Sequence, residues 1–321
     1  MRAVTLTHND FDGLGCVLML MIKFKPEAYF FTNYYDFDKA VDQVIKYKRE
    51  NDVDTLLIAD LSFSDHPQLL EKLSFVFEGK IFLVDHHMYP DGFWSNFSFK
   101  KIIDTERCAT RILFEDLKLN DDIKDPEFRD LTSTFVRTVD TWDRWCDTDP
   151  GFEDAMYSNE LFLNLKTDNA SIVQIAKNLI GHRYGVFGAL ESFKKLYDDG
   201  FKQHLKSMDE KNLIWRFKGV TFIFSWDFLP AVVANEYKQG QPVVVAVQGG
   251  IFKVRINKHD NIWTEERINA LRRHLTGLDA FCHLHAFTYK VDDMTPKILA
   301  NECEKITKFI TSVYEPEPDL A

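Results

Sequence analysis

Over the first 120 residues, short apolar runs alternate with amphipathic stretches. Strand-like runs are predicted at 3–7, 28–32, 55–60 and 80–85, where aliphatic, β-branched and aromatic residues cluster. Between and after them, residues 13–23, 36–50, 65–77 and 106–118 carry helical spacing. Such alternation predicts βαβ units and a mostly parallel sheet with right-handed crossovers. Asn120-Asp121-Asp122 interrupts the pattern, and 127–142 then reads as a helix with Leu131, Phe135 and Val139 on one face. Residues 157–215 read as helical, with breaks near Gly181 and Gly185.

The pattern changes after that stretch. Val220–Phe224 and Pro242–Val247 are strand-like. Gln248-Gly249-Gly250 leads from the second of these into Phe252–Ile256, a hairpin signal, because glycine supplies the positive φ that tight turns need. A helix at 265–276, a strand within 279–291 and a helix at 295–314 complete the chain. The fold class is therefore α/β. A parallel-sheet domain at 1–190 is joined by a connector helix at 191–215 to a smaller α/β domain at 216–321.

The ionisable residues gather where the strands end. Thr7–Cys16 (THNDFDGLGC) follows the first strand and places His8, Asp10 and Asp12 on a strand-to-helix turn, at the carboxyl end of the sheet where α/β folds bind ligands. Gly13 and Gly15 are expected to let the backbone turn tightly and start the helix. Asp60 ends the run Leu56–Ala59, and Asp85-His86-His87 ends Ile81–Val84. Val139-Asp140-Thr141-Trp142-Asp143-Arg144 closes a later helix. Each alone has an ordinary explanation as a cap, a strand terminator or an ion-paired helix end. Together His8, Asp10, Asp12, Asp60, His86 and Asp140 supply two imidazoles and four carboxylates on one rim. Groups this crowded repel one another unless a cation sits between them. The set suits two divalent metals sharing a bridging carboxylate, a pair that clamps the attacking and leaving oxygens of a phosphoryl displacement. With no cysteine in the set, Mn2+ is expected, two per chain, with Mg2+ as the alternative. The rim carries only acidic and imidazole groups, so it is expected to grip substrate phosphate only through its metals.

The order His-x-Asp-x-Asp-Gly, strand-terminal Asp, Asp-His-His and a later Asp resembles the four motifs of the DHH phosphoesterase superfamily. That family includes RecJ-type exonucleases, nanoRNases, cyclic-dinucleotide phosphodiesterases and family II pyrophosphatases. The resemblance spans roughly residues 1–145. It implies that His8 and Asp10 bind one metal, that Asp12, His86 and Asp140 bind the other, and that Asp60 bridges them. It further implies that Asp85 orients His86 and that His87 touches the scissile phosphate or protonates the leaving group. Asp143, three residues after Asp140, offers a competing carboxylate. More weakly, Val254-Arg255-Ile256-Asn257 resembles the family's Ser-x-Arg-Ser strand. Asp279–Thr288 resembles its glycine-rich Gly-Gly-Gly-His-x-x-Ala-x-Gly stretch, with His283 and Ala286 matching and the glycines replaced. Arg255 and His283 would then hold substrate phosphate in a cleft between the domains.

Composition narrows the function. A net charge of −11 over 321 residues argues against non-specific binding of duplex DNA. The resemblance implies a phosphodiesterase or exonuclease acting on short single-stranded nucleic acid, with a cyclic dinucleotide as the runner-up and a non-catalytic nucleotide-binding protein as the rival class. Five cysteines without a Cys-x-x-Cys pair fit a reducing compartment. The absence of a leader-like or membrane-length apolar run leads to a cytoplasmic expectation without membrane contact. The oligomeric state is left open, a homodimer being one alternative.

Overall fold

The computed structural model describes residues 2–33, 36–181, scattered positions between 190 and 211, and 213–217, 219–224, 242–248, 250–257, 260–276, 286–291 and 294–314. It divides into two compact units, Met1–Lys194 and Lys195–Ala321.

The first unit is built on five strands: β1 (Ala3–His8), β2 (Ala28–Thr32), β3 (Thr55–Ala59), β4 (Ile81–Asp85) and β5 (Lys100–Ile103). They form an all-parallel sheet in the order β2-β1-β3-β4-β5. Side chains alternate across it and feed two separate cores. Leu57, Ala59, Phe82 and Val84 face a core completed by α1 (Phe11–Lys23), α4 (Ala109–Asp116), α6 (Pro126–Asp143) and α8 (Asn169–Gly181). Val4, Leu6, Leu56, Ile58, Ile81 and Leu83 face the other, closed by α2 (Phe37–Glu50) and α3 (Pro67–Val76). This is a doubly wound α/β layer structure. The chain leaves β1 toward β2 on one side and toward β3 on the other. The switch point of the sheet therefore falls at the carboxyl ends of β1 and β3, where such sheets bind ligands.

Several elements differ from the sequence expectation. β5 was not expected: its Lys100-Lys101-Ile102-Ile103 has no apolar run. It is an edge strand, where lysines discourage pairing with other sheets, and their stems find partners. Lys100 Nζ lies 4.8 Å from the Phe82 ring centre, and Lys101 Nζ donates to the Phe97 carbonyl at 2.9 Å. The helix expected to 118 ends at Asp116. Lys118, at φ +53°, starts a separate turn, α5 (Leu119–Asp122). α7 (Phe152–Leu165) begins earlier than expected and is separated from α8 at residues 166–168.

The second unit has a mixed sheet, β10-β9-β8-β7-β6, built from β6 (Ile214–Phe217), β7 (Val220–Phe224), β8 (Val243–Gln248), β9 (Ile251–Ile256) and β10 (Ala286–Lys290). Only β7 and β8 pair in parallel. The β8–β9 hairpin forms as expected, with Gly250 at φ +83°. β6 starts inside the stretch expected to be connector helix. One face of this sheet packs on α9 (Glu265–Thr276) and α10 (Pro296–Tyr314) through Phe222, Val245, Val254, Ile268 and Ile306. Among the described residues, no helix is long and apolar enough to cross a membrane.

Candidate metal centre

The site begins at the end of β1. Asp10 caps α1, its Oδ1 accepting from the Gly13 amide at 2.9 Å, while its Oδ2 lies 2.6 Å from His8 Nδ1. Burial works against its ionisation, but the adjacent His8 and the Gly13 amide hold Asp10 below the usual carboxylate range. Gly13 is required by space rather than by a special turn. A Cβ there would meet the His8 carbonyl oxygen at 1.9 Å, and neither Gly13 nor Gly15 has positive φ. A Cβ on Gly15 would strike Thr110 Oγ1 at 2.1 Å. The two glycines thus let α1 press against the end of β1 and against α4.

That close approach brings Asp12 to the start of α4. Its Oδ2 and Oδ1 accept from the amides of Ala109 and Thr110, both at 2.9 Å, and Thr110 Oγ1 donates to the Asp12 carbonyl at 2.9 Å. The positive end of α4 thereby stabilises a carboxylate that is otherwise fully buried. Each oxygen keeps a second lone pair for a cation.

Asp60 follows β3 in the left-handed region, φ +56°. One oxygen lies 3.2 Å from His86 Nε2; the other is buried with no donor in reach. Burial, then the charges of Asp10 and Asp12, push its pKa well up. A buried carboxylate oxygen with no donor is costly. Its donor set fits a divalent cation, because His8, Asp10 and Asp60 each present an atom within 4.8 Å of the others.

His86 lies among three carboxylates. Nε2 is 3.2 Å from Asp60 and 3.8 Å from Asp12, and Nδ1 is 3.6 Å from Asp143 Oδ2. Burial would lower its pKa, but Asp143, Asp60 and Asp12 together raise it well above the ordinary value. Asp12, His86 and Asp143 form a second group of donor atoms within 4.8 Å, and Asp60, a member of the first, also belongs to a third with Asp85, His86 and His87.

Asp140, expected as the fourth-motif ligand, stands outside these groups. Its Oδ1 accepts from the Cys108 amide at 2.8 Å, and its Oδ2 takes Arg111 at 2.9 Å and Arg144 at 3.8 Å. It caps α4 and neutralises arginines, while Asp143 faces His86. Asp85 also differs from expectation. Its hydrogen bond to His86 is with the backbone amide, at 2.9 Å, and the ring it orients is that of His87, whose Nδ1 is 2.7 Å away. Burial opposes its charge, yet His87 holds the Asp85 carboxyl below its usual range.

Two further residues carried no signal in the sequence. The Tyr89 hydroxyl donates to Asp85 Oδ2 at 2.6 Å. Lys166, just past α7, donates from Nζ to the carbonyl of Asn9, between His8 and Asp10. In the second unit Arg255 is partly buried on β9, between the buried Val254 and Ile256. His283 lies outside the described residues.

No family model matches the chain. The oligoribonuclease NrnB of Bacillus subtilis is 25% identical over 215 residues, 64% of this chain and 50% of that protein. A 3',5'-cyclic-nucleotide phosphodiesterase of Helicobacter pylori is 28% identical over 167 residues, 48% of this chain and 46% of its own length. The chain thus matches about half the length of these curated relatives. Two solved structures share the fold. A pGpG-specific phosphodiesterase, PggH from Vibrio cholerae, has TM-score 0.56 at 15% identity, covering 98% of this chain and all of that one. An exopolyphosphatase-related protein from Bacteroides fragilis has TM-score 0.51 at 13% identity, covering 98% and 94%. In its sequence relatives and in its fold, as in its four motifs, the chain resembles the DHH phosphoesterase superfamily.

Proposed function

We propose that this protein is a divalent-metal-dependent phosphodiesterase that hydrolyses short or single-stranded oligonucleotides in the cytoplasm. The observation that carries the reading is Asp60, a buried carboxylate with one oxygen lacking any donor, standing between two groups of ligand atoms. His8, Asp10 and Asp60 would hold one cation; Asp60, Asp12, His86 and Asp143 would hold the other. Imidazoles with carboxylates and no thiolate favour Mn2+, with Mg2+ as the weaker alternative. Bound divalent cations supply the Lewis acidity that activates water and polarises a phosphoryl oxygen.

The chain's own groups do the rest. A carboxylate can only accept, so the 2.7 Å contact fixes the His87 proton on Nδ1 against Asp85. Nε2 would then be the atom through which His87 touches the phosphate or passes a proton to the leaving oxygen. Arg255 is proposed to grip a second phosphate through its planar fork, with His283 assisting.

The first test is hydrolysis of bis-p-nitrophenyl phosphate by chelator-treated protein with Mn2+ restored. Turnover that depends on the metal and is lost in Asp60→Asn supports the reading; a silent protein with every divalent ion tested would sink it. The name of the H. pylori relative favours a cyclic substrate as the second reading. Dinucleotides, single-stranded DNA, 3'-phosphoadenosine 5'-phosphate and cyclic dinucleotides offered together would rank the two. Nucleotide binding without turnover of any would point instead to a binding protein that kept the fold.

A further inference from the structure

Lys166 places a positive charge on a rim that the sequence reading treated as purely acidic and imidazole. It lies immediately after α7, its own amide bonded to the Phe162 carbonyl at 2.8 Å. The side chain then runs back to the β1–α1 turn, crossing the Phe162 ring at 5.9 Å, and Nζ donates to the Asn9 carbonyl. Asn9 is the residue between His8 and Asp10, so the ammonium is tethered to the backbone that carries the first ligand group.

Its surroundings do not neutralise it. The side chain is partly buried, and among the described residues it makes no ion pair. Burial lowers the Lys166 pKa below its ordinary value and nearby Asp10 offsets this only in part; both Asp10 oxygens are already engaged, by His8 and by the Gly13 amide. A partly buried ammonium ordinarily finds a carboxylate, because desolvation is costly without one. Among the described residues its one hydrogen-bond partner is a neutral carbonyl. An ammonium has three N–H donors, which leaves two beside a site read as a phosphate-processing centre. It cannot ligate a cation and would repel one, so its complement is an anion.

We propose that Lys166 is a substrate-binding residue that donates to a non-bridging oxygen of the phosphate next to the one being cleaved. This rests on the phosphodiesterase reading above, and makes selectivity for substrates with a second phosphate partly a property of the catalytic unit itself. A purely structural latch between α7 and the turn would account for the Asn9 contact. It would not require a charge.

The test compares Lys166→Met, which keeps the stem over Phe162 but removes the donors, with Lys166→Arg, which keeps the charge. Dissociation constants of the Mn2+-loaded proteins for 3'-phosphoadenosine 5'-phosphate and for AMP are measured by calorimetry, beside metal content and thermal unfolding. The wild type is expected to prefer the bisphosphate. Lys166→Met should weaken bisphosphate binding about 10- to 150-fold, the range for a lost charge-assisted hydrogen bond. AMP binding and metal content should change little, and Lys166→Arg should recover part of the loss. Equal weakening for both ligands, or loss of metal with a lowered unfolding temperature, would make Lys166 a structural latch and overturn the proposal. An unchanged preference in Lys166→Met would overturn it too, while leaving the phosphodiesterase reading intact. A wild type that binds neither nucleotide and cleaves no phosphodiester would overturn both.

Discussion

Tyr89 donates its hydroxyl to Asp85 Oδ2 at 2.6 Å, completing the set of donors around a carboxylate that no water reaches. Asp85 Oδ1 already holds the His86 amide and His87 Nδ1. The same hydroxyl lies 3.2 Å from the Leu61 carbonyl, so one side chain ties the loop after Asp60 to the His87–Asp85 pair. Its ring is held among Phe93 and Trp94, with centroids at 4.8 and 4.5 Å.

Tyr89→Phe keeps that aromatic packing and removes only the hydroxyl. Asp85 Oδ2 is then buried without a donor, which should cost about 1–3 kcal/mol in urea unfolding. With Asp85 less constrained, His87 is less well oriented, and kcat on bis-p-nitrophenyl phosphate should fall more than KM changes. A variant as stable and as active as wild type would show the hydroxyl to be incidental.

Asp60→Asn should act in opposite directions with and without metal. Without a cation, Asp60 is a buried carboxylate pressed by Asp10 and Asp12. Asn removes the charge and, unlike most residues, tolerates the left-handed backbone at φ +56°. Chelator-treated Asp60→Asn should therefore be more stable than wild type by about 0.5–2 kcal/mol. Excess Mn2+ should reverse the order. At a hundredfold excess over Kd, each bound ion adds about 2.7 kcal/mol to wild type, and the variant should gain little. Calorimetric unfolding with and without Mn2+ checks both halves.

How much of this was legible in the sequence follows from what each residue needed. β1, β3 and β4 are nearly continuous apolar runs because both faces of a central parallel strand are buried, and their ends mark the rim. β5 escaped notice because only Ile102 and Ile103 reach the two cores, while its other two residues are lysines whose ammonium groups lie over Phe82 and Trp94. Gly13 and Gly15 were recognisable as required, but the reason, close approach to His8 and Thr110, exists only in three dimensions. Tyr89 and Lys166 could not be found in advance, since Leu61 and Asn9 are 28 and 157 residues from them.

The rim of α4 carries a separate pH dependence. Arg107 donates to Asp104 at 2.7 Å, Glu115 at 2.8 Å and Asp116 at 2.9 Å, and Arg111 donates to Glu115 at 2.8 Å. Burial opposes ionisation of Asp104 and Glu115, but the Glu106 amide and Arg107 lower the first, and Arg111 with Arg107 lower the second. Carboxyl groups depressed in the folded state stabilise it above their ordinary values, 3.8 and 4.5, and that contribution is lost as pH falls through their folded values. These groups are partly exposed, so each pair is worth about 1 kcal/mol at most. Arg107→Met should be less stable than wild type at pH 7, and the gap should close below about pH 4 and shrink in high salt. A gap as large at pH 3 as at pH 7 would mean that packing of the Arg107 stem, not charge, is responsible.

Asp140 and Asp143 lie three residues apart on α6, so helix geometry puts both near the same edge and spacing cannot choose between them. Their surroundings can. Asp140 serves the Cys108 amide with one oxygen and Arg111 with the other. A metal there would have to displace an arginine and uncap a helix. Asp143 faces His86 at 3.6 Å, and burial, against the pull of His86, pushes its pKa well up, with Asp12, Asp10 and Asp140 adding to the rise. A cation would relieve that repulsion. Asp140→Asn keeps an oxygen for the Cys108 amide but loses the charge facing Arg111, so it should act mainly on stability, by about 1 kcal/mol, with metal content retained. Asp143→Asn should leave the metal-free fold at least as stable and lose one metal per chain with most of the turnover. Elemental analysis of the two variants beside their urea unfolding decides the assignment. If Asp140→Asn lost the metal and Asp143→Asn kept it, the arginines around Asp140 would have to move aside on metal binding, and the original fourth-motif reading would be restored.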